Sequence, residues 1–407
     1  MLLEAHSRIN EAKPVKYWYP LSMASYGVEE ILEALDSMCS FRTSMWEKTG
    51  EFERSFANYQ NCAEAVMVNS GSSADLLLSF LLISPPSPML GKGDEILLPA
   101  VTWPTQVWSP MMAGLKVQLV DIDPETLNIS LEDLERKLTP SSRAIFLVHL
   151  LGNPCDMGKI LEIAKQHNLI VIEDCCEALG SEWDGVKVGN FGLGASFSFF
   201  FSHHITTMEG GMITTNDPEL ADQLRILRAH GWLRNVDPGR YPIQDDETDP
   251  RYSFVNWGFN LRPTELQAGF GLQQLAKLPE FTERRGKLAT RFFSYIDGTR
   301  FLSRPSVSAR GCPVWMALPI LLKECAPFRR SDIAAYLESS GVETRPIVAG
   351  NLTRQPAARM FGNLRAGSYP GADVVHDRGF YVGLSPFTED AAMDRLIDCL
   401  EKFLRRY

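Results

Sequence analysis

Two hydrophobic rhythms take turns along this chain. Over residues 27–38 the apolar positions Ile31, Leu32 and Leu35 fall on one helical face, and residues 50–60 repeat that spacing, so both stretches predict amphipathic helices. Short apolar runs bounded by turn residues then predict strands at 65–68, 94–99, 116–121, 143–150 and 169–173, the last leading straight into Asp174. Helical patterns separate them at 74–82, 130–138 and 154–166. Ser130 is the cap of the middle one, with Asp133 three residues on. Strand–helix alternation over residues 60–230 predicts an α/β layer around a mostly parallel sheet. Residues 197–201 predict a further buried strand, Gly210 and Gly211 a tight turn, and 212–214 an apolar run. Residues 236–252, rich in Pro, Asp and Gly, predict an exposed loop. Helices are predicted at 263–277, opening at Pro263, and at 279–298. The second, charged one is expected to bridge to a smaller α+β domain built from 314–322, 331–340 and 342–346. The expected division is a large domain over 1–285 and a small C-terminal domain over 286–407.

Composition narrows the classes. With 407 residues, 45% hydrophobic and 22% charged, the chain is long enough for two domains with a large core. A net charge of -10 sets nucleic-acid binding aside. Eight cysteines at 39, 62, 155, 175, 176, 312, 325 and 399 form no C-x-x-C pair and are too sparse for a disulfide framework, so the expected compartment is the cytoplasm. The start, MLLEAHSRINEAK, has no long apolar core. No run of 18 apolar residues occurs, so neither a signal peptide nor a membrane partner is expected.

Candidate chemistry collects near predicted strand ends, where open α/β sheets bind ligands. Ser70-Gly71-Ser72-Ser73 reads equally as a helix cap or as a phosphate cradle at a helix N-terminus. Neither a Gly-Lys-Ser/Thr loop nor a G-x-G-x-x-G after a strand is present. Asp174, in Asp-Cys-Cys-Glu177, either caps a turn or pairs with a heterocyclic N–H⁺. Trp103 is either a packing residue or a stacking surface. His203 and His204 are adjacent, so on a strand they point apart. No further ligand at a recognisable spacing accompanies them, and no metal site is expected.

Taken together these segments resemble the sugar aminotransferase family of pyridoxal-phosphate enzymes, with its aspartate-aminotransferase-like fold (fold type I). The likeness runs through NSGSSA (69–74), GDEILLPAVTWPT (93–105), VHLLGNPCDM (148–157), VIEDCCEALG (171–180), SFSFFFSHHITTMEGGMITT (196–215), GFNLRPTELQAGFGLQQL (258–275) and TRPIVAGNLTRQP (344–356). It implies that Asp174 pairs with the pyridine nitrogen and that Trp103 stacks on the ring. Gly71, Ser72 and Ser198 would hold the phosphate. Glu177 would stand beside the ring hydroxyl, where the family usually has Gln. Asn260 would reach the phosphate of a neighbouring subunit, which implies a homodimer with shared active sites. Arg345, Asn351 and Arg354 would approach the nucleotide-sugar, an arginine suiting phosphate through paired bonds.

One departure redirects the expected reaction. The family's Schiff-base lysine belongs five residues after Ser198, where this chain has His203, and residues 196–216 contain no lysine. The resemblance is therefore to the family's 3-dehydratases, which bind pyridoxamine phosphate without a covalent link. It implies dehydration of an NDP-4-keto-6-deoxyhexose, GDP-4-keto-6-deoxymannose foremost, to a 3,6-dideoxy-4-keto sugar of the kind found in lipopolysaccharide O-antigens. His203, with an ordinary pKa near 6.5, would be the general base at the cofactor's methylene carbon. His230 matches a second histidine of this subgroup and would orient substrate or assist proton transfer. Glutamate would restore the amine. The alternatives are a lysine-using NDP-sugar aminotransferase, a CDP-sugar 3-dehydratase with an iron–sulfur cluster, and a catalytically silent sugar-binding homologue. The absence of cysteine between Cys176 and Cys312 disfavours the cluster.

Overall fold

A computed structural model describes residues 16–236, 241, 249–365 and 367–407. The N-terminal 15 residues and most of the loop expected at 236–252 lie outside them. In chain order the first elements are α1 (Val28–Cys39), α2 (Glu47–Gln60), β1 (Glu64–Val68), α3 (Gly71–Leu81), β2 (Glu95–Pro99), α4 (Pro104–Met112), β3 (Lys116–Val120) and α5 (Leu131–Arg136). There follow β4 (Ser142–Val148), α6 (Met157–His167), β5 (Ile170–Asp174), β6 (Glu182–Trp183), β7 (Val186–Lys187), β8 (Ala195–Ser198), β9 (Gly211–Thr215) and α7 (Pro218–Arg228). The remainder are α8 (Glu265–Asp297), β10 (Leu302–Ser303), β11 (Gly311–Cys312), β12 (Ala317–Leu322), α9 (Arg330–Ser339), β13 (Thr344–Pro346), α10 (Pro370–Arg378), β14 (Gly379–Gly383) and α11 (Asp390–Leu404).

Seven strands form the main sheet in the order β1-β9-β8-β5-β4-β2-β3. Only β9 runs antiparallel to its neighbours; the other pairs are parallel. The strands read as continuous apolar runs because both faces are covered. Period-two alternation still sorts their side chains. Ile96, Leu98, Ala144 and Phe146 join the core under α3, while Leu97, Ile145 and Leu147 join the core with Met157 and Ile160 of α6. The carboxyl ends of β1, β2, β4, β5 and β8 therefore open on one edge of the sheet.

A four-stranded antiparallel sheet, β10-β12-β14-β13, stands beside it. Pro279 was expected to divide two helices, yet α8 runs unbroken from Glu265 to Asp297. Proline in a helix interior costs about 3 kcal/mol. Burial of Leu278 and Phe281 on one side of it and of Leu288, Phe292 and Phe293 on the other holds the helix straight through. Its N-cap is Thr264, with a capping box to Gln267, and not Pro263. Phe281 packs in a core with Phe197 and Phe199, whereas Leu288, Phe292 and Ile296 pack with Leu318 and Ile320 of β12. We propose that the division between a large and a small unit lies inside α8, near residue 285. The units are not simple segments of chain. Tyr19 packs in the small-sheet core, and Leu352, Tyr369 and Val375 pack in the large one.

Candidate functional site

The edge formed by the strand ends holds a cleft of about 590 Å³. Ser70, the β1–α3 corner, caps α3 by accepting from the Ser73 N–H at 3.1 Å. With that done, Gly71 and Ser72 face the cleft at the positive end of the helix. The helix-cap reading of this motif is seen directly, and the cap leaves room for the other. Gly71 has no room for a side chain: a Cβ would lie 2.6 Å from Ser198 Cβ and 3.0 Å from Cys176 Sγ. Gly71→Ala is therefore expected to destabilise the protein by about 1–3 kcal/mol and to weaken pyridoxal phosphate binding. An unchanged melting temperature together with unchanged affinity would remove Gly71 from the cradle.

Asp174, the last residue of β5, is buried at the cleft wall. Its Oδ1 accepts from the Cys176 N–H at 2.9 Å, a turn cap. No cation pairs with it among the described residues. Sequence inspection missed Asp75, which lines the same wall from α3. Asp75 Oδ1 accepts from the Ser196 hydroxyl at 2.6 Å. The ligand atoms of Asp75, Asp174 and Cys176 all lie within 4.8 Å of one another. Burial pushes both carboxyls up, and the charge on Asp174 pushes Asp75 up further. Each carboxyl accepts a hydrogen bond that favours its anion, Asp174 from the Cys176 N–H and Asp75 from the Ser196 hydroxyl. The Asp174 charge leaves Asp75 the more strongly raised, so Asp75 is the member that holds a proton more readily. Asp75 carries no motif; its sequence signal was only an acid in the apolar stretch 74–82.

Glu177 also lines the cleft. Its Oε2 accepts from the Leu151 N–H at 2.8 Å. Burial pushes it up to about 7, against that hydrogen bond and with help from the Asp174 charge. A carboxyl raised in the folded state stabilises below its unfolded pKa and loses that contribution as pH rises from about 4.5 to about 7. Glu177→Gln should thus raise the stability of the cofactor-free protein at pH 8 by up to about 3 kcal/mol and leave it unchanged at pH 4. Denaturant titrations at the two pH values check this, and a gain of equal size at both would refute the assigned cause.

The histidines sit differently from expectation. β8 ends at Ser198, so residues 199–210 are a long turn and not a strand. Phe199 N–H donates to Gly210 O, and His203 N–H to Phe200 O, both at 2.9 Å. The turn forms because Thr206, Thr207 and Gly210 satisfy its backbone internally. The two imidazoles do diverge. His204 is buried, with Nε2 against Val314 O at 2.9 Å. His203 lines the cleft, and its Nδ1 is buried without a partner. Burial and the Arg285 charge lower its pKa from 6.5 to about 4, which corrects the ordinary value expected from sequence. Glu177 shares the cleft, but no hydrogen bond joins it to His203.

The remaining candidates divide. Ser198, Trp103 and Arg345 line the cleft; Trp103, at the N-cap of α4, is 58% exposed. Asn351 is instead buried in a capping role, donating to Asp373 at 2.9 Å and accepting from Thr353. Arg354 is held by Asp373 and Asp377 outside the cleft. Asn260 lines a separate groove of about 980 Å³ with Trp46, Arg54 and Arg262. His230, exposed and at φ 64°, borders that groove through Arg262 Nη2 at 3.5 Å. Within one chain these two are not brought to His203.

The cleft suits a flat cationic ring bearing phosphate. A buried carboxylate without a cation partner, the N-terminus of α3 with the Ser72 and Ser198 hydroxyls, and an exposed indole all line it. No lysine lines it.

Comparison with known proteins agrees. GDP-4-keto-6-deoxy-D-mannose 3-dehydratase of Yersinia pseudotuberculosis is 36% identical over 391 residues, covering 94% of this chain and 98% of that protein. The solved structure of the E. coli GDP-4-keto-6-deoxy-D-mannose-3-dehydratase with bound hydrated PLP superposes with a TM-score of 0.90 at 34% identity, covering 94% of this chain and 99% of that one. A GDP-4-keto-6-deoxymannose-3-dehydratase with a trapped PLP-glutamate geminal diamine superposes with a TM-score of 0.89 at 34% identity, over 94% and 100%. The architecture is that of the pyridoxal-phosphate enzymes of the aspartate-aminotransferase type. The profile of the DegT/DnrJ/EryC1/StrS aminotransferase family matches residues 25–401, and the chain belongs to that family.

Proposed function

We propose that this chain is a pyridoxamine-phosphate-dependent 3-dehydratase of a nucleotide-linked 4-keto-6-deoxyhexose, with GDP-4-keto-6-deoxymannose as first candidate and glutamate restoring the amine. The observation that carries this reading is the cleft itself: it places His203, and no lysine, beside the carboxylate and the helix N-terminus. Bound pyridoxamine phosphate supplies a primary amine for the C4 ketone and a ring that takes up an electron pair. The chain does the rest. Asp174 keeps the ring nitrogen protonated. Gly71, Ser72 and Ser198 hold the phosphate, and Trp103 covers a ring face. Glu177 faces the ring hydroxyl. His203, neutral, takes a proton from the C4′ carbon and returns it to the departing C3 hydroxyl. Over a turn the sugar loses its C3 oxygen and ammonia is released.

Arg345 is the substrate-side cation of the cleft. Asn351 and Arg354, both engaged with Asp373 of α10, would meet only the outer part of a nucleotide-sugar. Asn260 and His230, lying apart from His203, would enter the site of a second copy in a homodimer. A lysine-dependent aminotransferase lacks its residue in this cleft. An iron–sulfur enzyme is disfavoured by the sequence, which has no cysteine between Cys176 and Cys312. No helix among those residues is long and apolar enough to cross a membrane.

The test is incubation with GDP-, CDP- and TDP-4-keto-6-deoxyhexoses, pyridoxamine phosphate and glutamate, read by mass spectrometry. The GDP sugar should lose one oxygen. Amino-sugar product, or a lysine adduct trapped by borohydride in the native protein, would replace this reading with amine transfer. Bound ligand without any product would mark a silent homologue.

A further inference from the structure

Arg285, on α8 where the two units meet, is buried at 5% exposure and has no carboxylate within ion-pair distance among the described residues. Backbone carbonyls hold it instead. Nη1 donates to Met316 O at 3.1 Å and to Leu384 O, and Nη2 donates to His203 O at 3.5 Å. Its Nε is buried without a partner. A buried cation without a counter-ion is costly, and nothing in the packing requires one here. The three carbonyls belong to three places: the turn carrying His203, the residue before β12, and the residue after β14. The guanidinium thus ties the turn to both central strands of the small sheet. Burial lowers its pKa only to about 10, so it stays charged near neutrality.

We propose that Arg285 is a positioning residue that fixes the His203 turn against the small sheet, its charge adding to the burial that keeps the His203 imidazole in its neutral, proton-accepting form. The other charged or titratable groups of the cleft and turn are His204 and Glu209 beside His203 in the chain, Asp75 from α3, Asp174, Cys176 and Glu177 from the end of β5, and Arg345 and Tyr381 from β13 and β14. His204 is itself neutral, lowered to about 3. Tyr381 is pushed up to about 12 by burial and by the Glu177 charge, and is neutral as well. Of the cations, Arg345 is half exposed and paired with Glu343, so solvent and partner screen it. Arg285 is the unscreened one.

The proposal rests on His203 being the base, but its test needs no turnover. Cofactor-free protein labelled with ¹³C at histidine Cε1 is titrated by NMR, the His203 signal being assigned by its loss in His203→Asn. The wild-type midpoint should lie near 4. In Arg285→Gln it should move up by roughly one pH unit, the scale of a nearby unit charge, whereas in Arg285→Lys it should stay within a few tenths. Coincident midpoints in Gln and wild type overturn the proposal. If Arg285→Gln does not fold, the lysine variant decides: an upward move of about one unit overturns the proposal, and an unmoved midpoint supports it. Should the midpoints behave as expected while His203→Asn still dehydrates substrate at the native rate, the reading of His203 as base fails and the Arg285 assignment stands for the imidazole alone.

Discussion

Replacing His203 with asparagine should lower dehydration by roughly 10²- to 10⁴-fold, the usual contribution of a positioned general base, while pyridoxal phosphate affinity changes little. The imidazole lines the cleft with an unpartnered Nδ1 and is not among the residues proposed to hold the phosphate or the ring nitrogen. Asparagine fills similar space and cannot take the proton. Dehydration that survives at the native rate would transfer the role elsewhere. His203→Lys separates the chemistry further. An amine at this place supplies what the family's transaminating members use. The variant should form a covalent adduct with pyridoxal phosphate that borohydride traps, and it should lose dehydration. The acid limb of the native enzyme's rate should also lie low. An imidazole lowered to about 4 is about nine-tenths unprotonated at pH 5 and essentially wholly so from pH 6 upward, so a fall in rate centred near 6.5 would show that the turn is less buried in solution than in this structure.

Asp174→Ala should weaken cofactor binding by a factor of about one hundred or more. Removing one partner of a buried charge pair costs roughly 3 kcal/mol or more, and each 1.4 kcal/mol is about tenfold in affinity. The neighbouring Asp75 is the control. It is the member of the carboxyl pair kept protonated by burial and by the charge on Asp174, so Asp75→Asn replaces a neutral acid with a neutral amide and should leave affinity within a few fold. Equal losses in the two variants would mean that the negative charge is shared across the pair, contrary to the assignment of the proton to Asp75.

The sequence by itself determined the layer architecture, because buried parallel strands must be apolar on both faces and must alternate with amphipathic helices. It also brought the strand ends forward as the place for chemistry, and through the family resemblance it singled out His203, five residues after Ser198, where a lysine would be expected. Local rules failed where tertiary contacts outweighed them. Pro279 reads as a helix stop, but burial on both sides carries α8 through it. Residues 199–201 read as strand, but internal backbone bonds turn the chain at Ser198. Asn351 and Arg354 look like substrate ligands in their motif, yet partners from α10 draw them out of the cleft. Asp75 and Arg285 lie far in sequence from the residues they act on, in helices whose patterns mark them only as polar. Whether a carboxyl keeps its proton or an imidazole loses one depends on desolvation and on charges from remote segments. Those quantities exist only once the chain is packed, which is why the tertiary structure alone decided the protonation states of this cleft.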